Sequence, residues 1–201
     1  MFITKIEQGN GKRYRVFCDE QILFSLYSYE LRQFHIREHM DVDDATINEI
    51  QDTVLYKRAR ERALYLLEKR PLSIHMMREK LCQNEYPISV VEQVIDFLIR
   101  YHYLDDLEYV SMYVNTYSCN KSKRQLEYAL MRKGIAKDVI VKYFAENSFS
   151  ENDCFDKQYR RYVRGKNLQD YTTRQKVFQY FYRKGFSTSL IDSYLNEIVD
   201  G

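Results

Sequence analysis

The chain of 201 residues holds 6 Gly and 2 Pro, where average usage supplies about 24; that shortage excludes sandwiches, jelly rolls and propellers, which need many turns. With 45% apolar and 30% charged residues it has the composition of a soluble, folded and largely helical protein, and no run approaches the roughly 18 apolar residues of a membrane span. A formal charge of +2 names no partner by itself.

The first 27 residues differ from all that follow. Phe2–Ile6 and Tyr14–Phe17 are rich in β-branched and aromatic residues and flank Gln8-Gly9-Asn10-Gly11-Lys12, a hairpin-turn sequence. Ile22, Phe24 and Leu26 alternate with their neighbours at the period of a half-buried strand, so a small antiparallel sheet is expected. The Gly-Asn-Gly string lacks the Gly-Lys-Ser/Thr ending of a phosphate loop. A short helix is expected over Tyr29–His39. Asp41-Val42-Asp43-Asp44 then offers an N-cap to one long helix, continuous or broken once, whose apolar residues from Ile47 to Leu67 recur at helical spacing until Pro71 closes it.

The remainder is repetitive. Setting Ser73 over Ser122, an offset of 49, aligns Met77 with Leu126, Leu81 with Leu130, Tyr86 with Ile135 and Val91 with Ile140. A further offset of 51 brings Thr173 to Ser122, Phe181 to Leu130 and Phe186 to Ile135. Each copy reads as a three-helix unit whose second helix is capped by Ser or Thr. In the later copies that helix ends at Gly134 or Gly185, where the chain favours a left-handed residue. In the first copy Asn84-Glu85 replaces Lys-Gly. Units of about 50 residues bury little alone and are expected to stack. The predicted fold is therefore mainly α, tandem three-helix bundles in an elongated curved array behind a small N-terminal antiparallel β-sheet. The expected divisions are 1–57 (sheet plus helix), 58–106, 107–153 and 154–201 (three repeats).

The residues Ala63-Leu64-x-x-Leu67-x-x-Arg70-Pro71-x-Ser73, Leu81 through Tyr86, Val90-Val91 through Leu98, Tyr103-Leu104-Asp105-Asp106-x-x-Tyr109 and Leu130-x-x-Lys133-Gly134-Ile135 stand in an order that resembles the RecX family of bacterial recombination regulators. The resemblance is strongest over residues 58–145. It implies tandem three-helix repeats, without enzymatic activity, that lodge along the groove of the RecA filament and limit its growth, strand exchange and co-protease activity. Some members of that family bind DNA themselves. Leu72, Asn84-Glu85 and Cys119-Asn120-Lys121 depart from the family pattern.

Catalytic readings are weaker. His35-Ile36-Arg37-Glu38-His39 matches the H-x-x-E-H pattern of inverted zinc peptidases, but a third ligand is not evident, so no metal site is assigned. Asp105-Asp106 and Glu151-Asn152-Asp153 read as acidic helix caps rather than a Mg²⁺ site. His75 and His102 have no convincing nucleophile near them in sequence. Cys18, Cys82, Cys119 and Cys154 are spaced for neither zinc nor disulfides and are expected as reduced thiols of a cytoplasmic protein; Met1–Lys5 does not begin a secretion signal.

Charge is distributed unevenly, from −2 over residues 1–58 to +4 over 154–201. Within 157–184, Lys157, Arg160, Arg161, Arg164, Lys166, Arg174, Lys176, Arg183 and Lys184 face the single acid Asp170, a net +8. Interleaved are Tyr159, Tyr162, Tyr171, Tyr180 and Tyr182, of which Tyr180 and Tyr182, two positions apart, cannot both face one side of a helix. Cations neutralise phosphates and tyrosines stack on unpaired bases, so these nine cations are the expected contacts to DNA or filament. The expected partners are the RecA filament and DNA, single-stranded first and double-stranded second, with no membrane and no cofactor, for a protein acting as a monomer. The competing reading is a DNA-binding helical-repeat protein that acts independently of RecA.

Overall fold

A computed structural model describes residues 1–9 and 11–196; Asn10, inside the predicted turn, and the end of the third predicted repeat lie outside them. The chain forms two compact units, one of residues Met1–Asp105 and one beginning at Asp106.

In the first unit, β1 (Phe2–Gln8), β2 (Arg13–Cys18), β3 (Gln21–Tyr27) and the two-residue β4 (Met40–Asp41) form an antiparallel sheet in the order β3-β2-β1-β4. Alternation puts Ile3, Val16 and Phe24 on the buried face. Helix α1 covers only Ser28–Gln33, shorter than the span expected from Tyr29 to His39. His35 adopts φ 53°, and the Ile36 and His35 amides donate back to the Leu31 and Arg32 carbonyls at 2.8 and 3.2 Å. This Schellman closure turns the chain and buries Ile36. The long helix is present: α2 (Asp44–Ile50) and α3 (Tyr56–Lys69) are joined by a single π-helical turn, Gln51–Leu55. The Asp43 carboxylate caps it, accepting from the Thr46 amide at 2.7 Å.

Helices α3, α4 (Ile74–Gln83) and α5 (Ile88–Arg100) form the first three-helix set. One apolar cluster joins Ile3, Phe24 and Leu26 of the sheet to Ala59, Met77, Leu81 and Val94 of these helices, so sheet and helices bury each other.

Polar contacts fix this docking at the place where the first repeat lacks its glycine. Glu85 follows α4 with φ 64°, a left-handed conformation that an L side chain adopts at a penalty of about 1 kcal/mol or more. Its carboxylate accepts from Arg15 Nε at 2.7 Å on β2 and from Ser25 Oγ at 2.7 Å on β3. The Arg15 guanidinium holds the Glu85 carboxyl below the usual carboxylate range, with Ser25 assisting. An acid whose folded pKa is depressed stabilises the fold above its unfolded pKa, and that contribution disappears as pH falls through the folded value. Glu85→Gln keeps the backbone strain and loses the charge, so it is expected to destabilise by about 1–2 kcal/mol at neutral pH. Glu85→Gly relieves the strain and is expected to lose less. Chemical unfolding should show that order, with the gap between wild type and Glu85→Gln closing as pH drops below about 4.5; equal losses at all pH values would contradict it.

The second unit holds α6 (Asp106–Tyr117), α7 (Lys123–Met131), α8 (Lys137–Glu146), α9 (Asn152–Val163), α10 (Tyr171–Arg183) and α11 (Thr188–Asn196). Aligned apolar residues recur as core in each copy: Leu81, Leu130 and Phe181 are buried, as are Tyr86, Ile135 and Phe186. Gly134 and Gly185 close α7 and α10 at φ 77° and 88°.

Two caps differ from the sequence reading. Ser73 and Ser122 cap α4 and α7, but α10 is capped by Asp170 rather than Thr173, so it starts earlier than its counterparts. Asp170 accepts from the Thr172 and Thr173 amides and both hydroxyls. Four donors hold its pKa at about 2, the hydroxyl of Thr172 first among them. Glu151 does not cap α9 with its side chain. Its carboxylate instead accepts from the Lys123 amide at the start of α7, and burial pushes its pKa up. The acid therefore serves the N-terminus of α7 and ties it to the start of α9.

Candidate nucleic-acid interface

Eight of the nine cations belong to α9, α10 and the loop between them, and Lys184 is the residue that ends α10. Seven are exposed, and Arg174 and Lys184 are half-buried. Charged side chains on a surface helix stay hydrated, and salt screens them from distant charges. Only Arg160 among the nine forms an ion pair within the described residues, with Asp156 one turn earlier at 2.9 Å. Arg183 Nε donates to the Gln179 carbonyl at 3.3 Å and Arg174 Nη2 to Asn196 Oδ1 at 3.4 Å. The structure brings Arg161 together with Lys184 at one cleft and Arg183 together with Lys184 at another, and Asp156 is the one acid among the described residues that pairs with any of the nine.

The five interleaved tyrosines separate into three kinds. Tyr159 lies one turn after Phe155 and packs with it in the core, 5% exposed. Tyr162 and Tyr180 stack on each other, centroids 3.8 Å apart and 6° from parallel. Lys166 Nζ lies 3.0 Å from the Tyr162 centroid and Lys184 Nζ 4.7 Å from that of Tyr180. A cation cannot fit between rings so close, so Lys166 covers the outer face of Tyr162. This pair is closed to a nucleobase and pins α9 to α10. Tyr171 and Tyr182 are 75% and 50% exposed, so of Tyr180 and Tyr182 the second is the more open to solvent.

Beside the stacked pair is an open cleft of about 490 Å³ lined by Asn120, Gln158, Arg161, Tyr162, Tyr180 and Lys184. Lys184 Nζ donates to Gln158 Oε1 at 2.8 Å, and Gln158 Nε2 donates to the Asn120 carbonyl at 3.2 Å. The Lys184 carbonyl accepts from Ser122 Oγ at 2.6 Å. These bonds fix Lys184 of the third repeat against the second, so this cation is held in place before any anion arrives.

Residues of the second repeat that charge counting passed over join this surface. Arg124 lies against Gly185: a Cβ on residue 185 would come within 2.7 Å of Arg124 Cβ. Their proximity joins positions 61 apart in the chain, which no local sequence signal marks.

The metal reading finds no geometry. His35 and His39 sit at φ 53° and 59° in turns beyond α1, not one helical turn apart on a helix. Glu38 Oε1 accepts from the Ile6 amide at 2.7 Å, and among the described residues no group of three or more His, Cys, Asp or Glu could hold a metal ion. No helix among them is long and apolar enough to cross a membrane.

Comparison with known proteins agrees with this architecture. Residues 59–98 match the family description "RecX, first three-helix domain" and residues 153–195 match "RecX, third three-helix domain". The Regulatory protein RecX of Bacillus pumilus is 30% identical over 207 residues, covering 100% of this chain and 78% of that protein. That of Clostridium beijerinckii is 24% identical over 204 residues, covering 98% and 95%. A crystal structure of regulatory protein RecX superposes with a TM-score of 0.61 at 25% identity, over 95% of this chain and 97% of that one. The crystal structure of RecX from Lactobacillus salivarius shares the fold, with a TM-score of 0.64 at 19% identity over 71% and 95%. With its outer three-helix sets matched by name and a relative 30% identical along its whole length, the chain belongs to the RecX family of regulatory proteins.

Proposed function

We propose that the protein is a non-enzymatic modulator of the RecA recombinase, and an inhibitor in sign, which binds along the RecA–DNA filament and limits its growth, strand exchange and co-protease activity. The observation that carries the reading is the exposed +8 stretch over residues 157–184, set on a member of a regulatory family. A filament that carries DNA offers phosphates to such a face, and contacts from several three-helix units of one monomer add through avidity. It acts in the cytoplasm, where the recombinase and its DNA meet. Added to RecA on single-stranded DNA, the folded protein is expected to lower ATPase and strand exchange together; no change at saturation would sink the proposal.

The exposed cations also favour a second reading, a DNA-binding protein indifferent to RecA. It predicts DNA affinity that falls steeply with salt and RecA activity that changes only when free DNA is depleted.

A further inference from the structure

A second cleft of about 480 Å³ opens between α7 and the end of α10, lined by Arg124, Gln125 and Tyr128 on one side and Tyr182, Arg183 and Lys184 on the other. Its volume lies within the roughly 300–1,000 Å³ of small-ligand sites. Unlike the closed Tyr162–Tyr180 pair, its rings are available. Tyr128 is 61% exposed and has no aromatic partner among the described residues, and Tyr182 is 50% exposed with only Phe178 near it, at 6.1 Å. Among the described residues no carboxylate lines the cleft. Arg124 makes no ion pair among the described residues, so its guanidinium is available where Gly185 lets its stem lie close. Gln125 Oε1 is engaged, accepting from the Ser122 amide at 3.2 Å. What remains is two open aromatic rings beside two guanidinium groups, with no fixed acceptor to read the edge of a base.

The geometry points to a stacking site for an unpaired nucleobase, its ring on Tyr128 and Tyr182 and its flanking phosphates on Arg124 and Arg183. Lys184 lines both this cleft and the one beside the stacked pair, so a strand following the basic face delivers its bases here. The inference rests on the reading of that face as a nucleic-acid contact. It adds that the protein selects single strands, since paired bases present no free ring, and that it does so with little sequence preference.

The test measures anisotropy of labelled oligothymidylate against an abasic strand of equal length and charge, both bound by the full chain. Wild type should hold the base-bearing strand at least about fivefold more tightly. Tyr128→Ala and Tyr182→Ala should erase that gap, while Tyr128→Phe, which keeps the ring, should preserve it. Both tyrosines are exposed, and circular dichroism confirms that the variants fold. Repeating the pair with ribose strands separates DNA from RNA as the source of the base; a base preference on either supports the site. Equal affinity for base-bearing and abasic strands overturns this site alone, as does a gap that survives both alanine variants. Failure of wild type to bind any strand overturns the basic-face reading and the site with it.

Discussion

Phe155→Ala is expected to destabilise the third repeat by about 3–5 kcal/mol, much of what a small unit possesses. Phe155 is fully buried on α9 and packs against Phe181 at 4.8 Å, Tyr194 at 4.9 Å and Phe186 at 5.0 Å between ring centroids. One ring therefore joins α9, α10, α11 and the turn before α11. Deleting it loses the transfer free energy of the ring and leaves a cavity among other rigid rings that cannot collapse to fill it. Phe155→Leu restores most of the volume and should cost about 1–2 kcal/mol. Hydrogen exchange should show amides of α9 to α11 losing protection first, because the core of this repeat is its own cluster. Loss of less than about 1 kcal/mol would mean the repeat is not held by this ring. Because Arg161 and Tyr162 ride on the same helix, nucleic-acid binding should fall with the fold.

The second large effect separates charge from fold. Reversing Arg160, Arg161 and Arg164 to Glu is expected to weaken binding to single-stranded DNA by at least about 100-fold near 0.1 M salt, and to lower the slope of log affinity on log salt by about 2. The three side chains are exposed, so the thermal midpoint should move little. Arg160 loses only its surface pair with Asp156, a contact of small energetic weight. Unchanged affinity with unchanged stability would remove this face from nucleic-acid recognition. Filtered titrations at several salt concentrations, with melting curves on the same samples, decide between the outcomes.

The parts of this molecule legible in sequence are those governed by local rules. The three-helix copies show because Leu81, Leu130 and Phe181 must be buried at one step of a repeat, and Gly134 and Gly185 show because left-handed helix ends favour glycine. The basic stretch shows in how charge is distributed along the chain, not in its total. Contacts set by distant residues do not show. His35 ends α1 early through a left-handed turn that histidine tolerates without announcing it. Asp170 displaces Thr173 as a cap because four donors converge on one carboxylate. Glu85 accepts a left-handed backbone because Arg15 and Ser25, on two strands far earlier in the chain, meet its carboxylate. Helical spacing after Phe155 could have marked Tyr159 as core, but the pairing of Tyr162 with Tyr180 across a loop could not be read from either helix.

Co-sedimentation of the protein with RecA filaments, assembled with and without DNA, tests the central claim most directly. The protein is expected to pellet with RecA–DNA filaments in proportion to RecA, beyond what the DNA alone retains, and the Arg160, Arg161 and Arg164 reversal is expected to weaken this retention. Equal amounts pelleting with naked DNA and with RecA–DNA filaments, or none with either, would contradict it.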